Sequence, residues 1–528
     1  MGVNIMKLKN NSRPVLWMAL IPFIFIMLLA ILLPDAFREF TTFVRDILGL
    51  LFGWFYLIVV FLCVVISIVV IFHPMGKIRL GDPHSKPEYS TFSWIAMLFS
   101  AGMGIGLVFY GAAEPLSHFA VNAPEATIYT QQAMLDALKY SFFHYGISAW
   151  SVYGMVALAI AYFKYRKKEL PNISSTLKPI FGKYTNGIIG NIVDALTIFA
   201  TVVGVATSLG LGAVQINGGL HYLFGIIQSI NVQLIIIAIA TVLFLTSAMT
   251  GINKGVKILS DTNIVLAVLL MLVAVAIGPS LNMANFFTES LGAYINDFIR
   301  MSFRTAASGT LTQQNWVQSW TIFYWAWWIS WSPFVGVFIA NISKGRTIRE
   351  FLAYILVVPS VFSFIWFSVF GTLAMNLATP GNPVINLSID QMLFGVFSQY
   401  PFSLVLSVIA IILVFIYFIT SADSATVVLA MLSENGSEKT SNKIKLIWGI
   451  VLASIASILL INGGLGSLQN ILIITAFPFS ILLFLIVVSV FKEIIYEKDE
   501  MGLSVKPERH PTVEKPFKSY ENDEEEEN

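Results

Sequence analysis

Four of the chain's twelve tryptophans fall within seven residues, in Tyr324-Trp325-Ala326-Trp327-Trp328-Ile329-Ser330-Trp331-Ser332-Pro333-Phe334. Helical spacing sets Trp327 and Trp331 on one face and Trp325 and Trp328 on a neighbouring one. A second aromatic set, Tyr145, Trp150 and Tyr153, falls near the midpoint of another apolar run. Tryptophan normally collects at membrane interfaces, but Trp328 lies at mid-depth of its run, 316–341. Plain core packing does not favour an indole either, because its N–H needs a partner. Converging aromatic faces suit a quaternary ammonium ion, which has no N–H to donate, and each desolvated ring contributes about 2 kcal/mol. These residues therefore point to holding a methylated cation.

Two further constellations accompany the rings. Ser100-Ala101-Gly102-Met103-Gly104-Ile105-Gly106 puts three glycines at alternate positions of an apolar run. Each costs about 1 kcal/mol in a helix interior. Gly102 and Gly106 could serve close helix packing. The tight spacing also suits an unwound stretch that offers backbone groups to a solute or ion, which membrane depth tolerates only beside a cavity. Tyr417-Phe418-Ile419-Thr420-Ser421-Ala422-Asp423 supplies hydroxyls and carbonyls, hard oxygen donors suited to an alkali ion. Such hydroxyls also bond back to their own helix. Asp423 is an acid within an apolar run, functional by default, or structural through bonds to free backbone.

Catalytic signatures are missing. The six histidines (73, 84, 118, 144, 221, 510) form no His-Glu-x-x-His pair, and no phosphate loop of the G-x-x-x-x-G-K type occurs. An enzyme and an ATP-driven pump are not expected. The single cysteine, Cys63, allows no disulfide within the chain.

The elements that must position these groups are membrane helices. The 528 residues are 57% hydrophobic and 12% charged, half the charge of an ordinary soluble domain, and mean hydropathy is +0.78. Twelve apolar runs are long enough to cross a bilayer: 15–33, 49–72, 92–117, 136–163, 189–224, 232–250, 260–279, 316–341, 350–376, 403–433, 445–462 and 467–491. The expected fold class is an all-α polytopic membrane protein, since lipid offers backbone groups no partners. Lys and Arg collect in the N-terminus and in every second loop (Lys77, Arg79, Lys86; Lys164 to Lys183; Lys254, Lys257; Lys344, Arg346, Arg349; Lys439, Lys443). Arg38, Arg45, Arg300 and Arg304 are the exceptions. Positive-inside bias puts both termini in the cytoplasm, which an even span count requires. Segment 283–300 reads as an amphipathic helix on the outer surface, with Met283, Phe286, Phe287, Leu291, Tyr294, Phe298 and Ile299 as its apolar positions. The tail 498–528, ending in Asp523 to Glu527, has the composition of a solvated, disordered segment.

The order of spans links the constellations. After a cytoplasmic N-terminus, 1–14, and two additional spans, 15–72, come two five-span units, 92–279 and 316–491. The glycine stretch lies in the first span of one unit, and a break at Trp331-Ser332-Pro333 is expected in the first span of the other. An odd number of spans inverts the second unit relative to the first. Interrupted helices at matching positions of inverted repeats point to a transport site at the midplane.

At these residues the sequence closely resembles the betaine/carnitine/choline transporter family, over roughly residues 12–495. The motifs that carry the resemblance are Gly102-Met103-Gly104-Ile105-Gly106, Tyr110-Gly111, Glu114-Pro115, the Trp325 to Phe334 signature and Thr420-Ser421-Ala422-Asp423-Ser424. The resemblance implies twelve transmembrane helices in a LeuT-like fold with two inverted five-helix repeats. It also implies a homotrimer in the cell membrane, contacting through 283–300. The implied function is sodium-coupled symport of glycine betaine or a related quaternary-ammonium osmolyte for osmoprotection. The alternatives are a proton-coupled choline transporter or a carnitine/betaine exchanger. Partners would be the solute, sodium and membrane lipid, with no cofactor and no nucleic acid.

The resemblance also implies roles. Trp150, Tyr153 and Trp328 would form the aromatic box, Trp327 and Trp331 would line the access path, and Trp325 would support it. Tyr145 stands where betaine carriers often have tryptophan. Gly102, Met103, Gly104 and Gly106 would meet the substrate. A first sodium would be held by backbone oxygens of Ser100 and Met103 with Tyr417, Thr420 and Ser421. A possible second would use Thr201 and Phe334; Val205 stands where sodium-coupled relatives can have a second threonine. Proton-coupled choline members tend to carry Asp at the position of Gly106. A zwitterion brings its own carboxylate, which a fixed acid there would repel, so the retained glycine favours betaine and sodium.

Overall fold

The computed structural model describes residues 13–102, 104–250, 253–437 and 439–501. Among them every regular element is helical, and one isolated bridge joins Arg79 to Thr347. In chain order the main helices are α1 (Arg13–Leu32), α2 (Pro34–Phe72), α3 (Thr91–Gly102), α4 (Ile105–Ala120), α5 (Gln131–Tyr145), α6 (Ile147–Ala161), α7 (Ile188–Phe224) and α8 (Ile230–Thr250). There follow α9 (Asn253–Ile277), α10 (Ser280–Ser302), α11 (Leu311–Val317), α12 (Phe323–Asn341), α13 (Ile348–Leu377), α14 (Ile389–Ser398), α15 (Ser403–Ser433) and α16 (Asn442–Glu500). Ten helical stretches are long and apolar enough to cross a membrane. The chain is a multi-pass membrane protein.

Three expected spans, the third, the fourth and the eighth, differ from simple rods. The third is two helices, α3 and α4, with Gly104 between them in extended backbone at φ −139° and ψ −173°. The fourth breaks at Gly146 into α5 and α6, a break that was not expected. A Cβ at Gly146 would lie 2.5 Å from the Phe142 carbonyl oxygen, so only glycine lets the chain turn here. The expected break at Trp331-Ser332-Pro333 is absent, and α12 runs straight through Pro333. Proline removes the N–H that would reach the Ile329 carbonyl; the Ser332 hydroxyl donates to that oxygen instead, at 2.8 Å. The interruption of this span lies earlier, as a wide π turn over Gln318–Ile322. The last two expected spans are the two arms of α16, which is divided where Gly463 and Gly464 leave helical geometry.

α2 also begins earlier than the expected span, so Arg38 and Arg45 lie on it, paired with Asp35 and Asp46 at 2.8 and 2.6 Å. The amphipathic segment is the helix α10, burying Met283, Ser290, Tyr294 and Met301. Ile299, expected on its apolar face, is exposed. Residues 1–12 of the expected N-terminal segment, 502–528 of the expected tail, and Met103 of the glycine stretch lie outside the described residues; Lys498, the expected start of the tail, is still on α16.

Burial sorts the helices into an inner and an outer set. The windows of α5–α6 and of α11–α12 are 94% buried, against 28% for α8 and 22% for Ile258–Ile277 of α9. The outer helices expose Ile235, Ile239, Val242, Val265 and Leu272. A soluble protein could not leave so continuous an apolar face wet; in a bilayer it meets acyl chains. Within the inner set α12 packs on α6, α13 on α4 and α6, and α7 against α12, α15 and α16. On one end the loop after α2 is clipped to the loop before α13. Leu80 N–H donates to Arg346 O at 2.8 Å and Gly345 N–H to Leu80 O at 2.7 Å. The Arg346 guanidinium lies 4.2 Å from the Trp94 ring of α3.

Candidate functional site

Each helix break frees backbone groups, and the aromatic side chains are bonded to them or to close-packed α7. The turn at Gly146 leaves the His144 carbonyl without a helical partner, and the Trp328 indole N–H donates to it at 2.8 Å. From α12, the Trp327 N–H reaches the Ser208 hydroxyl of α7 at 3.1 Å, and the Trp331 N–H reaches Gly204 O at 2.9 Å. Gly204 lets α7 approach this closely, since a Cβ there would lie 2.9 Å from Ser330 Cβ. With these three N–H groups used in the framework, the rings are fixed and turn their faces to whatever they enclose.

What they line is a tight cavity of about 30 Å³. Its aromatic wall is Tyr145, Trp150, Tyr153, Trp327, Trp328 and Trp331, and Gly104 and Gly106 close it from the α3–α4 break. Trp150 meets Tyr153 edge-on at 5.5 Å, and Tyr153 meets Trp328 at 6.1 Å. Tyr145 meets Trp328 at 5.2 Å, and Trp327 stacks on Trp328 at 5.1 Å and 8°. Rings from α5, α6 and α12, separated by nearly 190 residues of chain, thus share one space.

The glycines contact this wall directly. A Cβ on Gly106 would lie 2.7 Å from Trp327 Cη2 and 3.3 Å from the Tyr145 hydroxyl, and one on Gly104 would lie 3.6 Å from Trp331 Cη2. Tyr145 donates its hydroxyl to Gly106 O at 3.1 Å. The extra hydroxyl of Tyr145 thus ties α5 to the first turn of α4.

Other expected site residues fall differently. Trp325 is buried against Phe143 and His144, at 5.1 and 5.9 Å, behind the wall and not in it. Trp328 therefore shares its working face with Trp327, through stacking, and not with Trp325. Gly102 ends α3; the side chain of Ser100 and all of Met103 lie outside what is described. Tyr417 is buried on unbroken α15, and the Thr420 hydroxyl donates to Ile416 O at 3.0 Å. Thr201 donates to Thr197 O at 2.8 Å, and Phe334 meets the Trp331 ring edge-on at 5.6 Å. A hydroxyl that gives its proton to its own helix keeps its lone pairs outward, as an alkali ion needs. Asp423 accepts from Ser247 of α8 at 3.3 Å, a structural partnership between two helices.

Sequence reasoning missed Ala149, Ser208 and Ser363, which also line the cavity. For Ser208 a signal existed: Gly204, Ser208 and Gly212 repeat a small residue every fourth position, a close-packing face. Ser363 carries no such signal; only the packing of α13 brings it to the wall. The histidines, read as scattered, include two that meet: His118 and His144 both bond Glu114, behind the rings. Half of that cluster was legible as the i, i+4 pair Glu114 and His118.

Comparison with known proteins gives the family. A family model described as the betaine/carnitine/choline family transporter matches residues 14–499. The chain is 50% identical over 513 residues to the glycine betaine transporter OpuD of Bacillus subtilis, covering 97% of this chain and 100% of that one. It is 40% identical over 489 residues to an ectoine/hydroxyectoine transporter of Virgibacillus pantothenticus, covering 92% and 97%. It is 35% identical over 494 residues to an osmo-dependent choline transporter of Acinetobacter baylyi, covering 92% and 72%. An all-helical, lipid-faced chain with this match over nearly its whole length is a transporter and not an enzyme, and it belongs to the betaine/carnitine/choline transporter family.

Proposed function

We propose that the chain imports glycine betaine, or a close quaternary-ammonium osmolyte, in symport with sodium by alternating access at the cell membrane. The observation that carries this reading is the convergence of Tyr145, Trp150, Tyr153, Trp327, Trp328 and Trp331 on one cavity beside a broken helix. The trimethylammonium group sits among the ring faces, which need no hydrogen bond from it. The solute's carboxylate faces the first turn of α4, where helix-terminal amides favour an anion. Gly106 has no room for an acid beside Trp327, which favours a zwitterion over a bare cation. The names of relatives are in keeping: glycine betaine for one, ectoine for another, choline for a third.

The membrane topology that fits is twelve crossings with both termini cytoplasmic. It counts α3–α4, α5–α6 and α11–α12 as one crossing each and α16 as two, divided at Gly463-Gly464. Residues 92–279 and 316–491 then form two inverted five-helix repeats of a LeuT-like fold. The group α3–α4, α5–α6, α12 and α13 rocks against the remainder, and α10 forms the contact of a homotrimer. Sodium binds where the α3–α4 break passes α15, using oxygens of Ser100, Met103, Tyr417, Thr420 and Ser421. Gly212 of α7 supports that neighbourhood, since its Cβ position is 3.0 Å from both Ile105 and Phe418. Thr201 and Phe334 are the candidates for a second ion. An ion entering down a membrane potential contributes about 2.3 kcal/mol per 100 mV to accumulation.

The test is uptake of labelled glycine betaine, choline and carnitine, side by side, into proteoliposomes. Accumulation of betaine against its gradient is expected with sodium outside and is expected to vanish when potassium replaces sodium. Undiminished uptake in potassium would remove sodium coupling, and preference for choline or carnitine would replace the substrate.

A further inference from the structure

Directly behind the aromatic wall lies a polar cluster with no solvent access. Glu114 and His118 of α4 and His144 of α5 are all fully buried. Their nitrogen and oxygen atoms lie within 4.8 Å of one another. His144 Nδ1 is 2.6 Å from Glu114 Oε1, and His118 Nε2 is 3.3 Å from the same oxygen. The Tyr324 hydroxyl of α12 donates to Glu114 Oε2 at 2.5 Å. Every ligand-type atom thus has a hydrogen-bond partner, which describes a closed network and not an open metal pocket.

The partners fix where the protons are. Trp316 Nε1 can only donate, and it lies 3.3 Å from His118 Nδ1. That nitrogen is therefore the acceptor, the ring is neutral, and its proton is on Nε2, facing Glu114. The Thr321 hydroxyl lies 3.0 Å from His144 Nε2, and His144 Nδ1 faces Glu114 at 2.6 Å. The carboxylate is thus the common partner of His118, His144 and the Tyr324 hydroxyl. Among the described residues no lysine or arginine pairs with it. The guanidinium of Arg304 stands one ring away, 5.2 Å from the far side of Trp316, and is itself held by Glu125.

A buried carboxylate is costly. Its location gives that cost a use. Tyr324, which bonds the carboxylate, stacks on Trp328 at 5.7 Å and on Trp327 at 6.3 Å, and it meets Tyr145 at 5.1 Å. All three of those rings line the cavity. The negative charge therefore faces the solute space across a layer of rings, in a setting of low dielectric where such fields reach far.

We propose that Glu114 is the counter-charge of the solute's ammonium group: a positioning and specificity residue that never touches the solute. It draws the cationic end toward Trp328 and away from the first turn of α4, which sets the orientation of a zwitterion. Its own contribution is larger for a net cation, because in a zwitterion repulsion of the carboxylate offsets part of the attraction. The two histidines hold the carboxylate in place, and the His144 carbonyl fixes Trp328. This inference rests on the cavity being the solute site.

The test is equilibrium binding to purified full-length protein in saturating sodium chloride, read by tryptophan fluorescence. The probes are choline, a net cation, and glycine betaine, a zwitterion. Wild type is expected to bind both. Glu114→Gln keeps the shape and removes the charge; it is expected to weaken choline about tenfold and betaine clearly less. Glu114→Asp keeps the charge; both affinities are expected to fall together, with their ratio unchanged. Equal losses for the two probes in Glu114→Gln, or no loss, would overturn the proposal. A changed ratio in Glu114→Asp would do the same, and this arm decides alone if the glutamine variant does not fold. Failure of wild type to bind either probe would instead overturn the reading of the cavity.

Discussion

The tryptophans of α12 work in pairs of functions, one for the indole N–H and one for the ring. Trp328 is pinned by the His144 carbonyl and presents its face between Tyr145 and Tyr153. Trp328→Leu removes one desolvated ring, about 2 kcal/mol or roughly a 30-fold loss of betaine affinity. Uptake is expected to be abolished at micromolar betaine while the amount of protein at the membrane stays normal, as surface labelling would check. Gly106 limits the site in the opposite way. Gly106→Ala puts a methyl group 2.7 Å from Trp327 Cη2, and that ring cannot yield without breaking its stack on Trp328. Overpacking of this kind costs about 1–3 kcal/mol, so about tenfold slower uptake is expected from protein that still elutes as a folded species in gel filtration.

Among the elements, the broken helices matter more than the long ones. α3–α4 and α5–α6 each turn at a glycine, and each turn contributes carbonyls or amides that the rings or the solute can use. The unbroken α15 offers hydroxyls only. If Thr420 and Ser421 hold sodium, Thr420→Ala combined with Ser421→Ala is expected to raise the sodium concentration for half-maximal uptake several-fold. Unchanged sodium dependence in the uptake assay would remove that site.

The surface helix α10 is tied to α5 by charge. Asp297 accepts from Lys139 and from Arg300, both at 2.9 Å, and Arg300 also reaches Glu125 at 2.8 Å. Burial alone would raise the Asp297 carboxyl; the hydrogen bonds and charges of Lys139 and Arg300 outweigh it and hold it at about 2. A carboxyl depressed on folding adds stability above its ordinary range near 4, and that stability is lost as pH falls toward 2. Asp297→Asn is therefore expected to lower the melting temperature equally at pH 7 and pH 5, with the gap to wild type closing below pH 4.

At the scale of the whole molecule, the chain is apolar on its outer surface as well as in its core. Side chains such as Ile235, Val242 and Leu272 face outward, and hydroxyls, histidines and the hydrogen-bonded carboxylate of Glu114 are enclosed among apolar neighbours. Lipid makes the outer surface cheap and the enclosed charge expensive, so an enclosed charge has to serve the solute or the framework. The proposed coupling to sodium belongs to this scale, because the proposed ion site would link the α3–α4 break to α15 across the molecule. Its signature is loss of betaine accumulation when potassium replaces sodium in vesicles that remain sealed.

Composition and periodicity by themselves determined the membrane class, the helical fold and most helix positions, because burying a helix in lipid demands about twenty apolar residues and nothing else mimics that. Rings that line the cavity were legible too, since tryptophan at mid-depth and three alternating glycines violate ordinary membrane patterning. Tertiary structure decided which rings meet. Trp325 and Trp328 were expected to share a face, yet Trp325 turns toward Phe143, because neighbours and not spacing choose the working side of a helix buried all round. It also decided where helices break: Ser332 repairs the proline in α12, while close packing of Phe364 and Phe142 forces the turn at Gly146. The Glu114 cluster is the clearest case, for His144 comes to it from another helix, and no pattern within one helix encodes a contact between two.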